Sequence, residues 1–190
     1  MKFFTNEEIR DLIVSVLVLA LIFSYPNLKT RFFLTLFAVI ISFGVYIGVY
    51  KVFASKLSCM ATFKISQIAT LLSFISMFIK PVFKMIIFLT GFIEVMPYKF
   101  GRWGIKLIRL TPRDYGTMAT AAVSTNLFLA FLFTFFNGQF FQLLSQINLL
   151  VAFFNLLPIP QFDGSKIFFW SIWIWVFLFV LTLIIALLVF

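Results

Sequence analysis

Asn155-Leu156-Leu157-Pro158-Ile159-Pro160-Gln161-Phe162-Asp163-Gly164 places two prolines, a carboxylate and a glycine between long apolar runs. No charged residue occurs from Phe140 to Leu157 or from Ile167 to Phe190. Asp163 is therefore the one acid in a long tract of lipid-soluble chain. Acids within membrane spans are costly and mark a bundle interior, a partner or a site. Proline removes a backbone donor and breaks a helix, which is tolerated at membrane depth only against protein or a water-lined cavity. The stretch reads as a broken segment packed on other helices. The same residues also fit a plain loop between two spans, with Asp163 among the headgroups.

Outward from this stretch, the composition is that of a membrane protein. Of the 190 residues, 63% are hydrophobic and only 11% are charged, against roughly a quarter charged in soluble domains. The net charge is +9, but the bases sit in short gaps between apolar runs. Anionic lipid headgroups are thus the expected partner. No aromatic-and-basic soluble module is present, which argues against nucleic acid. Thirty phenylalanines reflect compositional bias and carry no functional reading. Cys59 is the single cysteine, so no intrachain disulfide or multi-cysteine metal site can form. No short apolar segment with a small-residue cleavage site marks a removable signal peptide.

The expected fold class is all-α, a single polytopic bundle over residues 1–190 with about six to seven membrane segments. Thr5 and Glu8 fit a capping box, opening a helix through Leu12 to Tyr25 that Pro26-Asn27 ends. A second helix is expected from Arg31 to Phe53. In it, Gly44 and Gly48 have the four-residue spacing that lets helices approach closely. Tyr46 and Tyr50 share one face, and also fit an interfacial aromatic belt backed by Lys51 and Lys56. Residues 54–64 read as a short basic connection. Phe63–Met96, interrupted by Lys80, Pro81 and Lys84, reads as a hairpin of helices over 65–79 and 81–96, or as one kinked helix.

Residues 98–116 form a basic cytoplasmic or interfacial connection with Lys99, Arg102, Lys106, Arg109 and Arg113, able to make a short strand or interfacial helix. Thr117–Phe136 is a further span. Asn126 lies in its middle and needs a protein partner for its amide. Residues 137–147 are expected outside. A span over 148–157 leads to the Asn155–Gly164 stretch, and a last helix covers 166–190. Placing the N-terminus, 54–64, 97–116 and 163–166 inside leaves Lys29, Arg31, Lys80 and Lys84 outside and the other bases inside. The positive-inside rule then gives a cytoplasmic N-terminus and an external C-terminus.

Asn155, Pro158, Pro160, Asp163 and Gly164 stand in an order that resembles the conserved aspartate motif of the site-2 proteases, the intramembrane zinc metalloproteases (peptidase M50-like). Glu7-Glu8-Ile9-Arg10-Asp11-Leu12, Tyr115-Gly116 and Thr125-Asn126-Leu127 with Ala130 resemble archaeal members and follow in the family's order. The family's other signature, a histidine-glutamate-x-x-histidine helix, falls on Tyr46-Ile47-Gly48-Val49-Tyr50. Lys51, the apolar pair and Ala54 match its usual continuation. Both histidine positions hold tyrosine, the glutamate position holds Ile47, and Ala122-Val123 stands where glycine-proline is usual.

In the chemistry the resemblance implies, two imidazoles and the aspartate hold zinc, and the glutamate is general base to the bound water. Here only Asp163 survives. Neutral tyrosine must lose a proton near pH 10 to ligate, isoleucine moves no protons, and the chain contains no histidine. No catalytic residue, metal ligand set or cofactor is therefore assigned; Tyr46, Ile47, Tyr50 and Asp163 are vestigial metal-site positions. An unpaired embedded carboxylate is expensive, so Asp163 is expected to hydrogen-bond Tyr46 or Tyr50. The expected role is a binding, regulatory or scaffolding subunit that engages another membrane protein or transmembrane helix. The alternatives are a divergent protease with ligands borrowed from a second subunit, and a purely structural subunit with a fixed partner. The spans hold too few polar residues for a transport path, and Asp163 shows no obvious embedded base.

Overall fold

The computed structural model describes residues 4–83, 86–101, 104–107 and 109–190, without the side chains of 80–83, 98–101 and 104–106. Lys84 and Arg102, counted above among the bases, lie outside the described residues, as do the side chains of Lys80, Pro81, Lys99 and Lys106.

The chain is mostly helical. Its helices are α1 (Asn6–Ser24), α2 (Leu28–Lys56), α3 (Gln67–Phe83), α4 (Pro112–Phe133), α5 (Gln139–Leu156), α6 (Asp163–Trp170) and α7 (Ile172–Val189). Among the described residues, four of them, α2, α4, α5 and α7, are long and apolar enough to cross a membrane. The six to seven segments expected are not reached on that count. Glu7, Glu8, Arg10 and Asp11 make the first turns of α1 too polar, and α3, at 17 residues, is short for a span.

The all-α expectation also needs correcting, because two small antiparallel sheets are present. In one, β1 (Met60–Ile65) pairs with β2 (Gly91–Met96), Phe63 opposite Ile93. In the other, β3 (Tyr98–Gly101) pairs with β4 (Gly104–Leu107), so part of the basic connection is strand. The helical hairpin expected over 65–96 is replaced by α3, a segment over 86–90 outside helix and strand, and β2. That segment is held by hydroxyls spaced three apart on α3. Thr70 donates to the Thr90 carbonyl at 2.9 Å, Ser73 accepts from the Leu89 amide at 3.0 Å, and Ser76 accepts from the Ile87 amide at 3.1 Å. These bonds satisfy backbone groups that have no sheet partner.

Thr5 caps α1 by accepting from the Glu8 amide at 3.2 Å. The Glu8 carboxylate does not close the expected box. It turns to the sheet instead, accepting from Lys51 Nζ at 2.8 Å and from the Phe63 amide at 2.9 Å. Lys51 also donates to the Ala61 carbonyl, and Asp11 accepts from the Ile65 amide. The outer edge of β1 is thus capped by α1 and α2 rather than left open. A reciprocal capping box does occur at α4, between Thr111 and Asp114, with Pro112 following.

The core lies where the inner faces of α2, α4 and α5 meet, around Tyr50, Val123, Leu127 and Ile147. Three further expectations are revised. Helix α5 begins at Gln139, inside the region expected as an external loop. The last helix is broken at Ser171, whose extended backbone ends α6 and starts α7. A Cβ on Gly44 or Gly48 would meet nothing within 4 Å, so these glycines make no close helix contact among the described residues.

Candidate functional site

The last turn of α5 and the first of α6 are joined by the two prolines. Neither proline can donate a backbone hydrogen bond, so the chain leaves α5 at Leu157 in an extended conformation. It turns through Ile159 and Gln161, the latter with φ of 80°. The Phe162 amide donates to the Ile159 carbonyl at 3.1 Å, and α6 starts at Asp163. Gly164 is what lets α6 begin here. A Cβ at this position would lie 2.1 Å from the Leu156 carbonyl oxygen, well inside contact distance. The Trp175 indole donates to that same oxygen at 2.8 Å, which ties α7 to the end of α5.

This turn points Asp163 at α2. Tyr46 and Tyr50, four residues apart, both face inward and are buried, as is Ile47 between them. That excludes the aromatic-belt reading. The Tyr46 hydroxyl donates to Asp163 Oδ2. Lys166, three residues along α6, donates from Nζ to Asp163 Oδ1 at 2.8 Å, to the Ile93 carbonyl of β2 at 2.8 Å and to the Tyr50 hydroxyl at 3.1 Å. Asp163 is 1% exposed. Both carboxylate oxygens are engaged, and all three ammonium protons have oxygen acceptors. The carboxylate and ammonium cancel, so the network carries no net charge into a low-dielectric surrounding.

The expected phenol–carboxylate contact is therefore present, through Tyr46. Lys166 corrects the reading that Asp163 has no embedded base. Residues three apart on one helix meet, so the Asp163–Lys166 spacing holds the signal, but only once α6 is known to begin at Asp163. The Ile93 carbonyl has no sequence signal, because the apolar residues of β2 read as helix.

The remaining motif positions surround the network without joining it. Asn155 donates to the Val151 carbonyl of its own helix at 2.8 Å. Asn126 is fully buried, as an embedded amide requires, and its nitrogen lies 3.5 Å from the Ser42 carbonyl, one turn before Tyr46. Asn148, which the sequence does not single out, donates to Ser42 Oγ at 2.9 Å. Asn126 and Asn148 thus bring α4 and α5 to Ser42 of α2 beside the site.

No family model matches the chain, and no solved structure matches it. A curated protein of Methanocaldococcus jannaschii, named "Putative zinc metalloprotease", is 35% identical over 182 residues, covering 90% of this chain and 88% of the relative. The chain belongs to that zinc metalloprotease family. The membership agrees with the resemblance to site-2 proteases.

The donor set of this family member does not fit a catalytic zinc. Such a site takes about three protein ligands and keeps one position open. Among the described residues, no three His, Cys, Asp or Glu side chains converge. Around Asp163 stand two phenols and an ammonium. The ammonium repels a divalent cation, and it and the Tyr46 hydroxyl already engage both carboxylate oxygens. A hydrolytic step through zinc cannot be built on these side chains.

Proposed function

We propose that this chain is a multi-pass, site-2 protease-like membrane protein in which the histidine-glutamate-x-x-histidine motif has been lost. It acts as a binding, regulatory or scaffolding subunit that engages a transmembrane segment of another membrane protein. The observation that carries this reading is the engagement of Asp163 on both oxygens by Tyr46 and Lys166, in a chain without histidine. Tyr46, Ile47, Tyr50 and Asp163 are then the vestigial metal positions, with Asn126, Asn155, Pro158, Pro160 and Gly164 retained for the fold around them. Partners are lipid and membrane protein, not nucleic acid. The N-terminus and the basic residues of 98–116 lie on the cytoplasmic side and the C-terminus outside.

A second reading is favoured by the name of the relative: a divergent zinc metalloprotease. In this chain it would need ligands supplied by another subunit and the departure of Lys166 from Asp163. Metal content of the detergent-purified protein, after mild chelation, separates the two. Zinc far below one per chain supports the subunit reading, and crosslinking in native membranes then identifies the partner. One stoichiometric partner in every preparation would point to a purely structural role. About one zinc per chain, lost in Asp163→Ala, would overturn the subunit reading and make a protease assay the next step.

A further inference from the structure

A second polar site lies away from Asp163. A cavity of about 420 Å³ sits between the start of α2, the start of α5 and the end of α7. Gln139, Gln142 and Gln146 line it from α5, and Arg31 from α2. The three glutamines are spaced to share one helix face. Phe23, Ile86 and Leu150 supply an apolar wall. Among the described residues, no acidic side chain lines the cavity and Arg31 pairs with no carboxylate.

Arg31 lies in the first turn of one candidate span, and Gln139 and Gln142 in the first turn of another. First turns of spanning helices lie at headgroup level, so the polar rim meets the phosphate layer while the apolar wall faces acyl chains. Guanidinium presents a planar fork of donors that matches phosphate oxygens in pairs, and carboxamides add neutral donors. Basic pockets between transmembrane helices hold lipid headgroups by the same chemistry. We propose that this cavity binds a phosphate group, as carried by the headgroup of an anionic phospholipid, with Arg31 as its charged anchor and Gln142 and Gln146 as further donors.

The test uses the full chain in phosphatidylcholine nanodiscs containing a minor fraction of phosphatidylglycerol, with lipids retained after extraction counted by native mass spectrometry. Preferential retention of one phosphatidylglycerol is expected. Arg31→Gln should weaken it by about tenfold or more, the size of one charge-assisted contact, and Lys29→Gln, which is outside the cavity lining, should leave it unchanged. Gln142→Leu gives an independent variant should Arg31→Gln fail to fold. Inorganic phosphate, measured by equilibrium dialysis, separates the sources. Lipid retention without phosphate uptake assigns a headgroup site, and Arg31-dependent phosphate uptake assigns a free-phosphate site. Equal retention of the two lipids with no phosphate uptake overturns the proposal, as does equal loss in Lys29→Gln and Arg31→Gln.

Discussion

Lys166→Met keeps the length and apolar stem of the side chain and removes its ammonium. Asp163 then loses its 2.8 Å partner while remaining 1% exposed, and the Ile93 carbonyl loses its donor. Removing one member of a buried pair costs about 3–5 kcal/mol. The orphaned carbonyl adds about 1 kcal/mol. The penalty should therefore be about 4–6 kcal/mol. Denaturant titration in a fixed detergent, followed by tryptophan fluorescence, measures it. Lys166→Met/Asp163→Asn, which strands no charge, should recover most of the loss. A loss below about 1 kcal/mol, or one that the double variant does not recover, would refute the buried ion pair.

Three further outcomes are expected. Gly164→Ala should cost about 3 kcal/mol or prevent folding, because its Cβ collides with the Leu156 backbone at 2.1 Å; Gly44→Ala and Gly48→Ala, with nothing in reach, should stay within about 1 kcal/mol of the parent in the same titration. Glu8→Gln should cost about 3 kcal/mol by leaving Lys51 without its carboxylate, and hydrogen exchange at the Phe63 amide, whose acceptor is Glu8 Oε1, should quicken. Burial pushes the Cys59 thiol up from its ordinary value, so less thiolate forms near neutral pH; maleimide labelling of the folded protein should be slower than that of a free cysteine, and its rate should rise with pH through a midpoint above the usual thiol range.

The sequence is most legible where a single physical demand acts on few candidates. An acid in an uncharged tract needs a partner, two phenols on one helix face can supply it, and Tyr46 does so. An embedded amide must face protein, and Asn126 does. Pro158 and Pro160 mark the break before α6, as their missing donors require. Legibility fails where long-range pairing overrides local pattern. Met60–Ile65 and Gly91–Met96 are too apolar to stand out from neighbouring helices, and they become strands only because each offers the other its ladder. A helical reading of 91–96 hides the Ile93 carbonyl as the second acceptor of Lys166. Glu8 fits a role at its own helix end by local spacing, whereas a buried lysine 43 positions away claims it.

The hydroxyl ladder on α3 has a consequence for sidedness. Because β1 pairs with β2, the chain leaves from and returns to one place, and the excursion between them adds an even number of passages whatever depth α3 reaches. The end of α2 and the start of α4 therefore open on the same compartment. The Lys166–Ile93 bond fastens the start of α6 there as well. Arg31, Gln139 and Phe190 gather at the opposite pole. With α2, α4, α5 and α7 each passing once, and α1 running the length of α2 in return from the Glu8–Lys51 pair, the carboxylate network lies towards one side and the arginine cavity at the other. Reporters inserted at residues 57–59 and 109–111 must then agree, and one at 135–137 must differ.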